Sequence, residues 1–437
     1  MTRMVDGAGI EPDAADTDIN TDHRAFINTS DESRPPSAGV PRLLIVSRAI
    51  RGVGQGMMLA DFALYLRALG WNAAGVGLLL ALGASGEIVA SIFVGWVGDR
   101  GTKKHFLILG EALTLAACCM VACSASSRVL AAAALLGGLG QRSNGSPGPF
   151  SPSEQSLFAY CSPPSRLGAV LSINSATGFA GLGVGALLGA LVVTWWRHFS
   201  GPQVFWPLFI ISAILSLANI LLLAYISEPP RPPRPEPPSV VVESSIRKNE
   251  AHSLTWLVLT NLLNGVAIGM ADLLVPLWFA KQFHAKPTSI SSLMAFTFFL
   301  TALLACAAAT LIYRTGHLKL LLRTQSMSAG LLIIFPFIPV YWLAFMILAI
   351  RYALTRSPGG VRQTLTNALV QRQRIGLATS LNVSSLQAGQ LFAPYFAGLL
   401  LDHGQAATPF FLAAFCQAFA VWFYKCSFHE PAPDTDR

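Results

Sequence analysis

Asp61, Glu87, Glu111 and Asp272 each fall inside a long apolar stretch of the chain, and so do Arg51, Arg142 and Arg351. If those stretches cross a bilayer, each charge near the middle costs at least ~2.5 kcal/mol even on the lenient insertion scale, so each needs a chemical reason. A carboxylate that is wet in one conformation and desolvated in another binds a proton differently in the two, and so lets protons bias a conformational equilibrium. Arginines in the same layer either hold a solute or neutralise the acids in structural pairs that often do no more than break even. Asn174, Asn382 and Gln387 add amide hydrogen bonds, and Trp278 adds a ring, for a polar or amphipathic small molecule. Buried amides also join helices to one another with no ligand involved.

The elements that would hold these groups follow from hydropathy. Only 12% of the 437 residues are charged, 53% are hydrophobic and the mean hydropathy is +0.53, whereas a soluble domain has roughly 25% charged residues. This is the composition of an integral membrane protein. A spanning helix needs about 20 mostly apolar residues. Such runs lie near 43–66, 74–97, 104–124, 129–150, 168–194 and 204–226, and again near 254–280, 288–312, 317–337, 340–360, 376–400 and 407–426. Between the two sets stands "SEPPRPPRPEPPSVVVESSIRKNE", a polar, proline-rich stretch that cannot span and reads as a stiff tether. The expected organisation is therefore a disordered tail at 1–40, a six-helix bundle at 41–226, a linker at 227–253, a second six-helix bundle at 254–427 and a short tail at 428–437. Lys and Arg concentrate in the gaps that share a side with both termini, which places both termini in the cytoplasm.

The two halves echo each other. "GQGMMLAD" ends at Asp61 and "NGVAIGMAD" at Asp272, with Gly54 and Gly265 seven residues before each acid; "RSNG" at Arg142 answers "RSPG" at Arg356; "RLGAVLSIN" from Arg166 answers "RIGLATSLN" from Arg374. Three matches in order point to a duplicated six-helix unit. At about 1.5 Å per residue, Arg51, Glu87, Glu111 and Arg142 share the cytoplasmic half of the first bundle, while Asp61 and Asp272 stand nearer the outer ends of spans one and seven.

"GWVGDRGTKKHF", between spans two and three, resembles the signature loop of the major facilitator superfamily, roughly Gly-x-x-x-Asp-Arg-x-Gly-Arg-Arg/Lys. Gly95, Asp99, Arg100, Lys103 and Lys104 occupy the matching positions, with Thr102 where the family usually has glycine. The resemblance covers roughly residues 43–427 and extends to uncharacterised bacterial members with a drug-efflux-like layout. It implies an all-α integral membrane fold of twelve transmembrane helices in two pseudo-symmetric six-helix bundles, with spans one and seven lining a central cavity. It also implies a secondary active transporter working by alternating access, with Asp99 as part of a latch. On physical grounds Lys103 and Lys104 would sit at lipid headgroups, and Asp99 would meet a helix N-terminus or an arginine of the other bundle.

From these readings the expected activity is proton-coupled efflux of a small molecule. The proton carriers are ranked Asp61, Asp272, then Glu111 and Glu87, the last two open to neutralisation by Arg51 and Arg142. Uptake of a polar metabolite by symport or uniport is the alternative, and a transporter-like membrane sensor or assembly factor the rival of another class. The expected partners are the substrate, a proton or other coupling ion and membrane lipid, the chain acting as a monomer in a bacterial inner membrane. No cofactor or metal is expected, because Cys118, Cys119, Cys123, Cys306 and Cys416 lie in apolar runs without paired ligand spacing. His-Glu-x-x-His, Gly-x-Ser-x-Gly and Gly-x-Gly-Asp are all missing, which argues against an enzyme, and the basic charge lies in loops rather than in a nucleic-acid stripe.

Overall fold

The structure, a computed structural model, describes residues 39–427 apart from 72, 99–101, 140–147, 197–198, 200, 229–239, 273–274, 286, 360–361, 363–365 and 367–374. Among the described residues regular structure is entirely helical. Among the described residues six helical segments meet both the length and the hydropathy needed to cross a membrane unbroken, and Leu78–Val94, Ser127–Gly137 and Ser292–Ala308 are shorter apolar helices.

The first half runs α1 (Gly39–Ala68), α2 (Ala73–Gly98), α3 (Lys103–Cys123), α4 (Ser127–Gly137), α5 (Ser151–Cys161), α6 (Pro164–Trp195) and α7 (Trp206–Ala224). The second half runs α8 (Val240–Asp272), α9 (Val275–Phe283), α10 (Pro287–Thr315), α11 (His317–Ile334), α12 (Tyr341–Arg356), α13 (Ile375–Asp402) and α14 (Thr408–Ser427). Counting α4 with α5 and α8 with α9 as broken spans gives two sets of six.

Two elements differ from the hydropathy reading. Span four does not end at 150. It breaks at Gly138, whose φ of 58° is left-handed and stops α4, and it resumes as α5, with Pro152 in the first turn where a missing N–H is harmless. The segment expected to be a loop is therefore a buried polar helix. Likewise α8 starts at Val240, inside the stretch expected to be linker, because no proline follows Pro238 to stop a helix from forming.

Within each half, one pair of helices packs backbone against backbone. A Cβ at Gly56 of α1 would stand 2.2 Å from the Leu182 carbonyl oxygen of α6, and one at Gly265 of α8 would stand 2.1 Å from the Leu386 carbonyl oxygen of α13. Gly52 faces Gly181 just as Gly265 faces Gly389, so the duplicated unit is visible in three dimensions. The halves meet along α6 against α10 and along α2 and α5 against α13. Three polar contacts cross the second seam. Gln387 Nε2 donates to Glu87 Oε2 at 2.7 Å, Thr379 Oγ1 donates to Gln155 Oε1 at 3.2 Å, and the Ser380 hydroxyl donates to the Ser91 carbonyl.

Candidate functional site

The buried charges form two clusters, one in each half. In the first, Arg51 on α1 donates through Nε to Glu111 Oε1 of α3 at 2.7 Å and through Nη1 to Glu154 Oε2 of α5 at 2.8 Å. The second oxygen of Glu154 accepts from Asn174 Nδ2 of α6 at 2.8 Å. One guanidinium thus holds two carboxylates, and four helices are joined through it. The fork of an arginine suits this, since its donors leave in fixed directions that a lysine cannot reproduce.

In the second half the signs are exchanged. Asp272 closes α8, and its two oxygens accept from Arg351 Nη1 at 2.6 Å and Arg356 Nη2 at 2.7 Å, both arginines projecting from α12. Tyr352, between them in sequence, presents its ring 4.2 Å from the Arg356 guanidinium. Arg351 lies ten residues into α12, or about 15 Å from its start at Tyr341. The cluster is therefore deep in the span rather than near its outer end, and Asp272 meets arginines of α12 there.

Asp61 stands apart from both clusters. It is 6% exposed, and among the described residues no group donates to its carboxylate. Its Oδ2 lies 2.7 Å from where a Cβ of Gly189 on α6 would be, so the missing side chain makes its room. The sequence repeat that paired Asp61 with Asp272 is not a spatial pairing. Structural equivalence runs from Gly52 to Gly265, and Asp61 follows its glycine by nine residues whereas Asp272 follows by seven. Two residues turn a helix by about 200°, which sends the two acids to different faces.

The other expected residues are placed as follows. Glu87 faces Gln387 across the seam, and Gly138 lies so close that a Cβ there would meet Glu87 Oε1. Asn382 on α13 accepts from Asn261 of α8, a second amide bond along that glycine-lined pair. Trp278 is buried among Phe279, Phe283, Phe335 and Phe410, with its ring centroid 4.6 Å from that of Phe335. Gly95 lies within α2, while Asp99, Arg100 and Arg142 are outside the described residues. Of the two lysines of the loop, Lys103 is buried and Lys104 reaches a neighbouring helix end at the surface. The Lys103 ammonium rests 3.7 Å from the centroid of the Tyr160 ring, and Lys104 Nζ donates to the carbonyl of Ala224, the last residue of α7, at 2.5 Å. A cation at a helix C-terminus meets unpaired carbonyls and the negative end of the dipole. The α3 N-terminus is capped in turn by Glu228, which accepts from the Lys103 backbone N–H at 2.6 Å.

Two buried charges escaped the sequence reading. Glu154 sat in a serine-rich stretch between apolar runs; Pro152, two residues ahead, was the signal for a helix start. Arg48 is fully buried beside Gly178, yet it stands near the beginning of an apolar run. Arg356, readable with Arg351 as a cavity residue or as a snorkelling anchor at the helix end, is one arm of the Asp272 clamp.

The two duplicated helical halves thus carry oppositely signed ion clusters. The sequence profile of the Major Facilitator Superfamily matches residues 44–260 and 257–437. The chain belongs to that superfamily. A yeast relative from Saccharomyces cerevisiae, the uncharacterised membrane protein YJR124C, is 21% identical, the alignment covering 83% of this chain and 88% of that protein. Among solved structures, the transporter FucP in its outward conformation superposes with a TM-score of 0.71 at 14% identity, covering 89% of this chain and 98% of FucP. The human organic anion transporter MFSD10 superposes at 0.67 with 13% identity, covering 90% and 100%. A bacterial homologue of the iron transporter ferroportin, outward-facing, gives 0.67 at 12%, covering 89% and 99%. At such identities the likeness shows the fold, an all-α integral membrane protein of twelve spans in two six-helix bundles, and membership of the superfamily supports a role in transport.

Proposed function

We propose that the protein exports an amphipathic small molecule by alternating access, driven by protons that load on Asp61. The observation that carries the proton step is the isolation of Asp61. A buried acid with no cation beside it accepts and releases a proton without breaking an ion pair, whereas Asp272, Glu111 and Glu154 are each held by arginine. The ranking of carriers thus narrows to Asp61, with Glu87 next because a neutral amide, that of Gln387, donates to its carboxylate. Glu87 bridges the halves, so its charge bears on opening rather than on carriage.

Outward movement is supported by the character of the wall where the halves meet. Phe179 and Leu182 of α6 pack with Phe298 of α10 and the aromatic cluster around Trp278. A solute that suits such a wall also enters lipid unaided, so a cell needs a machine to remove it rather than to admit it. With the termini cytoplasmic, the Lys103 end of the molecule faces the cytoplasm, and the contacts of Thr379, Ser380 and Gln387 close that side. The part of the family's latch assigned to Asp99, which lies outside the described residues, rests on the resemblance of the loop sequence alone. The fold hosts many solutes, so none is taken from its neighbours.

In proteoliposomes Asp61→Asn is expected to keep substrate exchange and to abolish accumulation driven by a pH gradient. Accumulation at the wild-type rate in that variant, and in Glu87→Gln, would leave uptake by a proton-independent carrier as the better account.

A further inference from the structure

The clamp on Asp272 leaves part of one arginine unused. Arg351 is 1% exposed, and its Nη1 is committed to Asp272, but among the described residues Nε and Nη2 have no hydrogen-bond partner and are sealed from solvent. Those two N–H groups lie along one edge of the planar guanidinium and point the same way. That edge is the one that meets a two-oxygen anion bidentately. Asp272 cannot turn to fill it, because both of its oxygens are engaged, one by Arg351 and the other by Arg356. Arginine does not discharge by losing its proton, so the unfilled edge of Arg351 presents a lasting positive charge that an anion complements.

The position suits a transported group. Arg356, one turn from Arg351, lies over the Phe298 ring of α10 at 5.7 Å, and α10 is the helix that packs across the seam on α6. Three residues further on, Gly359 comes within 3.9 Å of the Ser175 hydroxyl of α6, measured from its Cβ position. The free edge of Arg351 thus belongs to a cluster that reaches, through Arg356 and Gly359, the helices at the border of the two halves. We propose that it anchors the anionic head of the substrate, and that the substrate class is an amphipathic organic carboxylate whose apolar body lies against the Phe298 and Trp278 cluster. This deepens the export reading and rests on it for the direction of travel, though not for binding. A weak organic acid crosses lipid in its neutral form and is trapped as the anion, which is the form this site selects.

The test is calorimetric binding to the full chain in nanodiscs, with empty nanodiscs as reference. The probes are 4-phenylbutyrate, its uncharged amide 4-phenylbutanamide, and inorganic phosphate. Phenylbutyrate is expected to bind at least ten-fold more tightly than the amide and to weaken as salt rises. Arg351→Lys keeps a cation for Asp272 but removes the two-donor edge. It should lower phenylbutyrate affinity at least ten-fold, leave the amide unchanged and unfold at the wild-type temperature. Equal wild-type affinity for acid and amide would overturn the proposal, as would wild-type acid affinity in Arg351→Lys, or binding of phosphate without phenylbutyrate. Should Arg351→Lys unfold early, the acid–amide contrast in the wild-type protein decides alone. Asp61→Asn should bind phenylbutyrate as the wild type does; a variant that binds normally and still accumulates substrate on a pH gradient refutes the proton step and leaves the anion site standing.

Discussion

The two halves share a scaffold and oppose each other in charge. Glycines bring α1 to α6 and α8 to α13 at equivalent positions, yet the first half centres one arginine between two acids and the second one acid between two arginines. Duplication preserved what packs and let the charges diverge. Packing is the harder constraint, because a residue larger than glycine on that seam meets backbone that cannot step aside. A charge needs only a partner within reach, and any of several neighbouring helices can supply one.

The comparison is broken most directly at the centre of each cluster. Arg51→Met strands Glu111 and Glu154 in the interior, and Asp272→Asn strands Arg351 and Arg356. Removing one partner of a buried pair costs about 3–5 kcal/mol, read as a fall in thermal unfolding temperature in detergent. The two should differ in how acid affects them. Stranded carboxylates are neutralised by protons, so lowering the pH should restore part of the Arg51→Met loss, while stranded guanidiniums stay charged and Asp272→Asn should gain nothing. A matching acid response in the two variants would mean that the clusters are not opposed in the way described.

The shared scaffold is tested by Gly52→Val and Gly265→Val, each overpacking the same place in its own half. Overpacking costs typically about 1–3 kcal/mol, and the two losses should agree within about 1 kcal/mol; a large disparity would end the structural equivalence of these glycines. The smallest effect is expected at the seam between halves, where Gln387→Ala removes a single hydrogen bond to a carboxylate. The expected loss is ~1.5–3 kcal/mol at most, and its sign is visible as increased labelling of cysteines on the Lys103 side. Unchanged labelling would remove Glu87 and Gln387 from the gate.

Much of this was legible in the chain. The number and order of spans follow from hydropathy because lipid forces every backbone group into a helix, and the loop at Gly95–Lys104 pointed to the superfamily on which the sequence profile agrees. Arg51 with Glu111 was readable as a shared layer, since depth along a helix is simple arithmetic. What failed was rotation. Gly54 and Gly265 looked equivalent, but Gly54 faces Ser212 and Leu215 of α7 while Gly265 lies on the seam. One glycine in a glycine-rich run is easily mistaken for another two positions away, and the mistake carried Asp61 and Asp272 onto one imagined face. Glu154 was hidden for a different reason. Its helix is polar and buried, and hydropathy reads such a segment as surface.

The glycine seams also set how the molecule can move. Two helices in backbone contact over several turns have little freedom to slide or bend separately, so each half is stiff along its length. A stiff body about as long as the ~30 Å apolar layer, pivoting near its middle by roughly 10°, carries each end through about 2.5 Å. Two halves doing so in opposite senses open one mouth by on the order of 5 Å and shut the other by as much. Leverage of that kind needs no hinge inside either bundle. On the proposed alternating-access reading it makes the width of the passage a property of rotation angle, and the contacts of Gln387, Thr379 and Ser380 with α2 and α5 are among the bonds that yield on each stroke.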